Sequence, residues 1–305
     1  MTFNPNARLD TSQVEDRRGS GGGVGGTGLA VGGGGIGILV LIVSLIFGVD
    51  LQGSGIPLPT DAGTSSSSQP RAGTQGAAPS GAGLSESCQT GEDANQREDC
   101  RIVGFVNSIQ AYWSQEIPRR YGQYEPARTQ LFSEGTQTAC GSASSAVGPF
   151  YCPADQKVYI DLSFFNELQQ RFGARGGPFA QAYVLSHEYG HHIQNQIGTL
   201  ERGQRDQDGP QSGAVRVELQ ADCFAGVWAH NAVATGYIQQ LTEEDIAVAL
   251  DAAAAVGDDR IQQKMQGRVN PESWTHGSAA QRQQWFTQGY RTGDMNACDT
   301  FRGRI

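Results

Sequence analysis

The sequence predicts an α+β domain that is mostly helical and contains one small sheet. Several segments repeat apolar residues at the spacing of an amphipathic helix, whereas a single segment, KVYIDLSFF at 157–165, is β-branched and aromatic. All six cysteines, all five histidines and all four tryptophans lie between residues 88 and 305. We therefore expect one globular domain over 88–305, a length that is sufficient for a hydrophobic core.

The helices of this domain can be placed from their start and stop residues. Pro178 and Gly198 bracket a helix of about 19 residues, because proline is favoured in a first helical turn and glycine just after a last one. Thr242 with Asp245 resembles a capping box at the start of a later helix, which Gly257 ends. Apolar spacing predicts the other helices at 97–113, 166–172, 214–230 and 278–286.

The N-terminal third has a composition that cannot form a core. Residues 29–49 carry no charged side chain, and at about 1.5 Å per residue they are long enough to span a bilayer of roughly 30 Å. We expect a single transmembrane helix there, after a disordered cytoplasmic tail at 1–28 and before a flexible tether rich in Gly, Ser and Pro at 50–87. A cleaved signal peptide and a buried core helix are the alternatives. Arg17 and Arg18 precede the span, which favours a domain outside the cytoplasm.

The charge and the cysteines restrict the function classes and the compartment. A net charge of −9 and a pI near 5.0 provide no basic surface for nucleic acid. An even number of cysteines in an exported domain predicts disulfides. Buried free thiols are the alternative, above all for Cys223 on a predicted helix. Proximity in sequence favours two of the pairs and leaves the third: Cys88–Cys100, Cys140–Cys152 and Cys223–Cys298.

The segment HEYGH places two histidines four residues apart within the helix that starts at Pro178. Positions i and i+4 share a helix face, so His187 and His191 can bind one ion, and Glu188 can reach a water on that ion. Neutral imidazoles, an open coordination position and a carboxylate base are the requirements of a catalytic zinc site. A chance match is the alternative, and the position inside a well-delimited helix argues against it.

A second helix offers the third ligand that such a site needs. The metzincin pattern requires glycine at 194 and histidine at 197, but the sequence has Gln194 and Ile197. Glu218 and Asp222 instead lie four residues apart on a helix that is apolar nearly all round, where two carboxylates need partners. We expect Glu218 to bind zinc and Asp222 to accept a hydrogen bond from a ligand histidine, a gluzincin-like arrangement. Two solvated acids are the alternative.

Four segments in this order resemble the bacterial family of neutral zinc metallopeptidases: GPFYCPADQKVYIDLSFF, FAQAYVLSHEYGHHIQ, ELQADCFAGVWAH and THGSAAQRQQWF. The resemblance extends over residues 97–301. It implies a zincin-like peptidase domain, typically anchored in a membrane, with His187 and His191 as zinc ligands and Glu188 as the catalytic acid and base. It implies little about substrates.

Four further residues are candidates for the site. Membrane peptidases with HExxH and a glutamate ligand carry an oxyanion-binding histidine in a T-H-P segment followed by arginine, and THGSAAQR resembles that segment. The resemblance assigns His276 to oxyanion stabilisation and Arg282 to orienting Asp222 or the substrate; a capping or surface histidine is the alternative. Tyr159 and Asp161 lie on the predicted strand, which would bind an extended substrate as an edge strand or else lie buried in the sheet.

Together these residues predict a membrane-tethered zinc endopeptidase that acts outside the cytoplasm on protein or peptide substrates, with one catalytic Zn²⁺. One alternative is a non-catalytic tethered module whose zinc is structural and whose cleft binds peptides. The other is a zinc amidase that acts on cell-wall peptide. Glu188 separates the first alternative from an enzyme, because a purely structural zinc site has no use for a catalytic carboxylate.

Overall fold

A computed structural model of the protein describes residues 1–19 and 83–305. The predicted transmembrane helix at 29–49 and most of the predicted tether at 50–87 lie outside these residues. Among the helices within the described ranges, none combines the length and the apolar composition that crossing a bilayer requires.

The described residues form a mostly helical α+β fold, as the sequence predicts. The side chains of Ser212, Thr242 and Ser278 accept backbone hydrogen bonds in the first turns of three helices, which determines where these helices begin. The α-helices within 83–305 are α1 (Leu84–Ser87), α2 (Gly91–Gln96), α3 (Glu98–Glu116), α4 (Phe164–Gln170), α5 (Pro178–Gln196), α6 (Gly213–Asn231), α7 (Glu243–Ala255), α8 (Asp258–Gln266) and α9 (Ala279–Thr292).

Short strands form three small sheets in the described part of the chain. They are β1 (Thr2–Phe3), β2 (Val14–Asp16), β3 (Arg128–Phe132), β4 (Gly135–Thr138), β5 (Gly141–Ser144), β6 (Phe150–Cys152), β7 (Lys157–Asp161) and β8 (Ile238–Gln240). The largest sheet has the order β2-β3-β7-β6, in which β2, β3 and β7 are parallel and β6 is antiparallel to β7. Strand β1 pairs with β8, and β4 pairs with β5, both antiparallel.

Strand β7 lies inside the four-stranded sheet, between β3 and β6. The prediction that Tyr159 and Asp161 belong to a substrate-binding edge strand is therefore wrong, and the alternative of a strand buried in the sheet is correct. The physical reason is burial on both faces: Val158 and Ile160 are inaccessible on one face, and the Tyr159 ring stacks on Phe150 on the other. Among the described strands, β6 forms this edge of the sheet.

Residues 1–19 are part of the folded domain, so the prediction of a disordered tail at 1–28 is wrong for them. Strand β2 adds to β3, and the buried Phe3 ring lies 4.9 Å, centroid to centroid, from Phe105 of α3. The Met1 ammonium group pairs with Asp245 at 2.6 Å. The domain also begins earlier than the predicted Cys88, because α1 buries Leu84 within the segment assigned to the tether.

Helix α6 packs closely against α5 and α9, and glycines permit both contacts. A Cβ added at Gly190 of α5 would lie 2.9 Å from the Ala221 Cα atom of α6. One added at Gly289 of α9 would lie 1.9 Å from the Cys223 carbonyl oxygen of α6. Side chains on the facing sides of these three helices therefore meet in one place.

All three predicted disulfides are present: Cys88–Cys100, Cys140–Cys152 and Cys223–Cys298. The prediction of this pairing is confirmed, and the alternative of a buried free thiol at Cys223 is wrong. The third disulfide joins α6 to the C-terminal tail, and the second joins the turn between β4 and β5 to the edge strand β6.

Candidate metal centre

Helices α5 and α6 bring the HEYGH segment and Glu218 together. Helix α5 carries His187, Glu188 and His191 on the part that packs against α6. His187 and Glu188 are buried, and the His191 side chain is 12% exposed. Because Gly190 lies between them in sequence and contacts Ala221, the two helix axes are close enough for Glu218 to reach both imidazoles.

The three candidate ligands have the spacing of a zinc site. The Glu218 Oε2 atom lies 3.2 Å from the His187 Nε2 atom, and its Oε1 atom lies 3.5 Å from the His191 Nε2 atom. All three ligand atoms lie within 4.8 Å of one another. Ligands held about 2.1 Å from a tetrahedral ion lie about 3.4 Å apart, so the residues present fit Zn²⁺.

The far nitrogens of both imidazoles are held by acceptor oxygens. The His187 Nδ1 atom lies 2.9 Å from the Asp222 Oδ1 atom, and the His191 Nδ1 atom lies 2.8 Å from the Gln194 Oε1 atom. Each Nδ1–H therefore donates, which leaves the lone pair of each Nε2 facing the Glu218 carboxylate. Two lone pairs and a carboxylate at this distance need a cation between them, and outer hydrogen bonds of this kind are typical of zinc-binding histidines.

Asp222 is the centre of a buried network behind His187. Arg282 of α9 donates to both of its oxygens, from Nε at 2.8 Å and from Nη2 at 3.0 Å, and the Tyr183 hydroxyl donates at 2.6 Å. Burial alone would raise the pKa of Asp222, but Arg282 and His187 outweigh it and lower the pKa. Asp222 is therefore ionised and fixes the ring orientation of His187.

The ligand cluster is electrostatically a site for positive charge. Burial would lower the pKa of His187, but the Asp222 charge and the hydrogen bonds to Asp222 and Glu218 raise the pKa to about 10. The pKa of Glu218 is lowered, because His191 and His187 outweigh the effect of burial. Without a metal, a proton on His187 thus supplies the cation that the buried carboxylates require.

Glu188 is the acidic residue of the HEYGH segment, and its carboxylate is free to take part in proton transfer. Its carboxylate forms no hydrogen bond with any residue in the described ranges, and it borders a cleft that opens onto the ligands. Burial raises the pKa of Glu188 to about 8, with the His187 charge opposing that rise. A carboxyl group with a pKa near neutrality can both accept and donate a proton.

His276 borders the same cleft from the loop before α9. Its Nδ1 atom lies 3.2 Å from the Asp258 Oδ1 atom, and the other Asp258 oxygen accepts three backbone N–H groups, from Thr275, His276 and Gly277. Burial would lower the pKa of His276, but Asp258 outweighs this and raises the pKa. Asp258 therefore holds both the loop and the ring, and it leaves Nε2 as the free donor.

Asp258 and Tyr183 belong to the site but are not among the residues expected from the sequence. Tyr183 precedes His187 by four residues and shares its helix face, so the i, i+4 spacing could have indicated it. Asp258 has no such indication, because the backbone N–H groups that it accepts from lie 17 to 19 positions later in the chain.

Tyr159 and Asp161 do not border the cleft beside the candidate centre. The Tyr159 hydroxyl donates to Asp155 at 2.7 Å. Asp161 accepts backbone hydrogen bonds from Glu134 and Ser163. Both side chains therefore stabilise the sheet and the turns beside it.

Comparison with known proteins finds relatives over most of the chain. The chain is 55% identical over 221 residues to the uncharacterized protein Rv2575 of Mycobacterium tuberculosis, which covers 70% of this chain and 74% of the relative. It is 39% identical over 307 residues to the uncharacterized protein YpfJ of Escherichia coli strain K12, covering 96% and 97% of the two chains. No solved structure matches the chain. Residues 4–301 match the family described as "Putative neutral zinc metallopeptidase", and the chain belongs to that family.

Proposed function

We propose that the protein is a zinc-dependent peptidase with a zincin-like domain, which hydrolyses peptide bonds in protein or peptide substrates. The position of Glu188 carries this proposal. Its carboxylate adjoins the three candidate ligands, borders the cleft and is not engaged by any described residue. A structural zinc site has four protein ligands, no open coordination position and no use for a free base.

The residues of the cluster divide the chemistry among them. His187, His191 and Glu218 would hold one Zn²⁺, which supplies a Lewis acid for the scissile carbonyl group and lowers the pKa of water. Glu188 takes the proton from the attacking water and delivers it to the leaving amine. His276 donates a hydrogen bond to the oxyanion that develops on the carbonyl oxygen.

The experiment that tests this function compares Glu188→Gln with the wild-type protein, with Glu201→Gln at an exposed position as the matched control. We expect Glu188→Gln to retain one zinc ion per chain and to cleave unfolded casein at least about 100-fold more slowly. The control should behave as the wild type does. Unchanged cleavage by Glu188→Gln would contradict the proposal.

Two other outcomes would support the alternatives. A wild-type protein that binds zinc and peptides but cleaves neither casein nor peptidoglycan is a binding module. Release of peptide from purified peptidoglycan, with casein left intact, would identify a cell-wall amidase.

We also propose that the domain functions outside the cytoplasm. Its three disulfides support an oxidising compartment. The predicted cytoplasmic N-terminus is incompatible with this placement in the fold described, because residues 1–19 pack on the domain. A single membrane crossing at 29–49 would place residues 1–19 and residues 83–305 on opposite sides, so the predicted single-pass topology and the docking of residues 1–19 exclude each other.

A further inference from the structure

The cleft beside the candidate metal centre has an apolar end that the proposed chemistry does not use. We propose that this end selects peptides with a large apolar side chain next to the cleaved bond. The inference rests on the proposed peptidase function and adds the substrate class to it.

The acidic, basic and histidine residues that line the cleft are those of the ligand cluster and its supports: His187, Glu188, His191, Glu218, Asp258, His276 and Arg282. Away from them, Gln204 is the one residue with a side-chain amide, and the rest of the lining is mainly aliphatic and aromatic. A charged substrate side chain there would lose its water without gaining a partner, which is strongly unfavourable.

Large apolar side chains remain partly exposed at this place. Phe164 and Phe172 come from α4 and the turn that follows it, Val256 from the end of α7, and Ile261 from α8. None of these four is fully buried, unlike the aromatic and aliphatic residues of the main core. Apolar groups clustered around a concave surface indicate a binding site for an apolar group.

Val184 connects the apolar end to the metal centre. It lies on α5 four residues before Glu188, hence on the same helix face and one turn away, and it lines the same cleft. A substrate side chain that contacts Val184 is therefore attached close to the bond that Glu188 and the ligands would attack.

A disulfide tethers another wall of the cleft. This wall consists of residues 147–151, which lead into the edge strand β6, and the Cys140–Cys152 disulfide joins that strand to the β4–β5 turn. Gly148 has a positive φ of 73°, and a Cβ at this position would lie 3.2 Å from the Phe164 ring. The two walls thus meet at Gly148 and Phe164.

The volume of the cleft sets the size of the side chain that fits. The whole cleft, with the catalytic end included, has a volume of about 170 Å³, close to the roughly 150 Å³ of an engineered apolar cavity that binds benzene. The apolar end therefore holds at most one side chain of the size of leucine, methionine or phenylalanine.

The test uses two series of internally quenched peptides, in which one residue is Leu, Phe, Ala, Asp or Lys. The first series varies the residue before the cleaved bond, and the second varies the residue after it. For wild-type protein we expect kcat/KM to be at least about 10-fold higher for Leu or Phe than for Ala, and lower again for Asp and Lys. Ile261→Glu should lower kcat/KM for the Leu peptide at least about 10-fold and improve the Lys peptide relative to it. Met265→Glu is the matched control, because Met265 lies one turn further along α8, is exposed and does not line the cleft.

A binding measurement separates this inference from the proposed function. Fluorescence anisotropy of the same peptides with Glu188→Gln protein should show tighter binding of the Leu and Phe peptides. If the wild type cleaves no peptide while this preference is present, the proposed function is wrong and the apolar site stands. Equal cleavage of the Leu, Ala and Asp peptides, or equal effects of Ile261→Glu and Met265→Glu, would overturn the inference.

Discussion

Asp258 acts on His276 without touching the candidate ligands. Because its charge raises the pKa of His276, the imidazolium form persists to higher pH than it would otherwise. We expect Asp258→Asn to lower kcat about 10- to 100-fold with zinc content unchanged, and to move the alkaline limb of the kcat/KM profile to lower pH. Asp259→Asn is the control, since Asp259 accepts from the Ala279 N–H instead. An unmoved alkaline limb would refute this role for Asp258.

His192 makes the stability of the fold depend on pH. Burial lowers its pKa from 6.5 to about 4, and the neutral ring donates from Nε2 to the Glu125 carbonyl and accepts from the Tyr151 hydroxyl. Above pH 6.5 the ring is neutral in both the folded and the unfolded state. Between pH 6.5 and pH 4 the unfolded chain takes up the proton first, so the stability of the fold decreases as the pH is lowered. The loss amounts to about 3 kcal/mol.

The measurement is the free energy of unfolding by urea at pH 7 and pH 4 for wild type and His192→Gln. The wild type should lose about 3 kcal/mol more than the variant over this range. Parallel losses in the two proteins would show that His192 is not responsible.

Among individual residues, the sequence predicts those that recur at helix spacing and few others. His187, His191, Glu218 and Asp222 follow from i, i+4 spacing, and the structure brings them together. Asp258 depends on a loop that folds back over 17 to 19 residues, and no periodic pattern marks such a contact.

The contact between α5 and α6 is the element-scale feature on which the centre depends. Gly190→Ala would place a methyl group against Ala221 and move the helices apart, so Glu218 would no longer reach both imidazoles. We expect a loss of about 1–3 kcal/mol in stability and a lower zinc affinity, measured by competition with a chelator.

Gly104→Ala is the matched control for that variant. Its added Cβ would lie 2.6 Å from the Phe3 ring, and neither residue borders the cleft. It should destabilise the protein to a similar extent and leave zinc affinity unchanged. Equal zinc affinities in the two variants would contradict the account.

Helices were predicted better than strands. Proline, glycine and capping residues locate the ends of α5 and α7 to within a residue or two, and apolar spacing does the same for α6. Strands β1, β6 and β8 have two or three residues each, too few for a period of two to be visible. The order of strands depends on partners far away in sequence, which is why β7 was mistaken for an edge strand.

For the whole molecule, the docking of residues 1–19 is the feature with the widest consequences. We expect Phe3→Ala to destabilise the domain by about 3–5 kcal/mol, because it removes a ring packed on Phe105. Thr2→Ala, at the exposed neighbouring position, should change stability by less than about 0.5 kcal/mol. Similar thermal unfolding of both variants would show that the segment is not part of the core.

The sequence did not predict this docking. Four apolar residues of this segment pack on the core: Met1, Phe3, Leu9 and Val14. The last three are separated by polar residues, and their spacing follows neither a helix period nor a strand period. Their burial depends on a surface made by α3, β3 and β8, which composition alone does not indicate.

The proposed peptidase function depends on the binding of one zinc ion by His187, His191 and Glu218. The most direct measurement is zinc stoichiometry together with X-ray absorption at the zinc edge, for wild type and Glu218→Gln. We predict one zinc per chain in the wild type, bound by two imidazole nitrogens and carboxylate or water oxygen at about 2.0–2.2 Å, and an affinity at least about 100-fold lower in the variant. Sulfur ligands, or a variant with unchanged zinc affinity and coordination, would contradict this assignment of ligands.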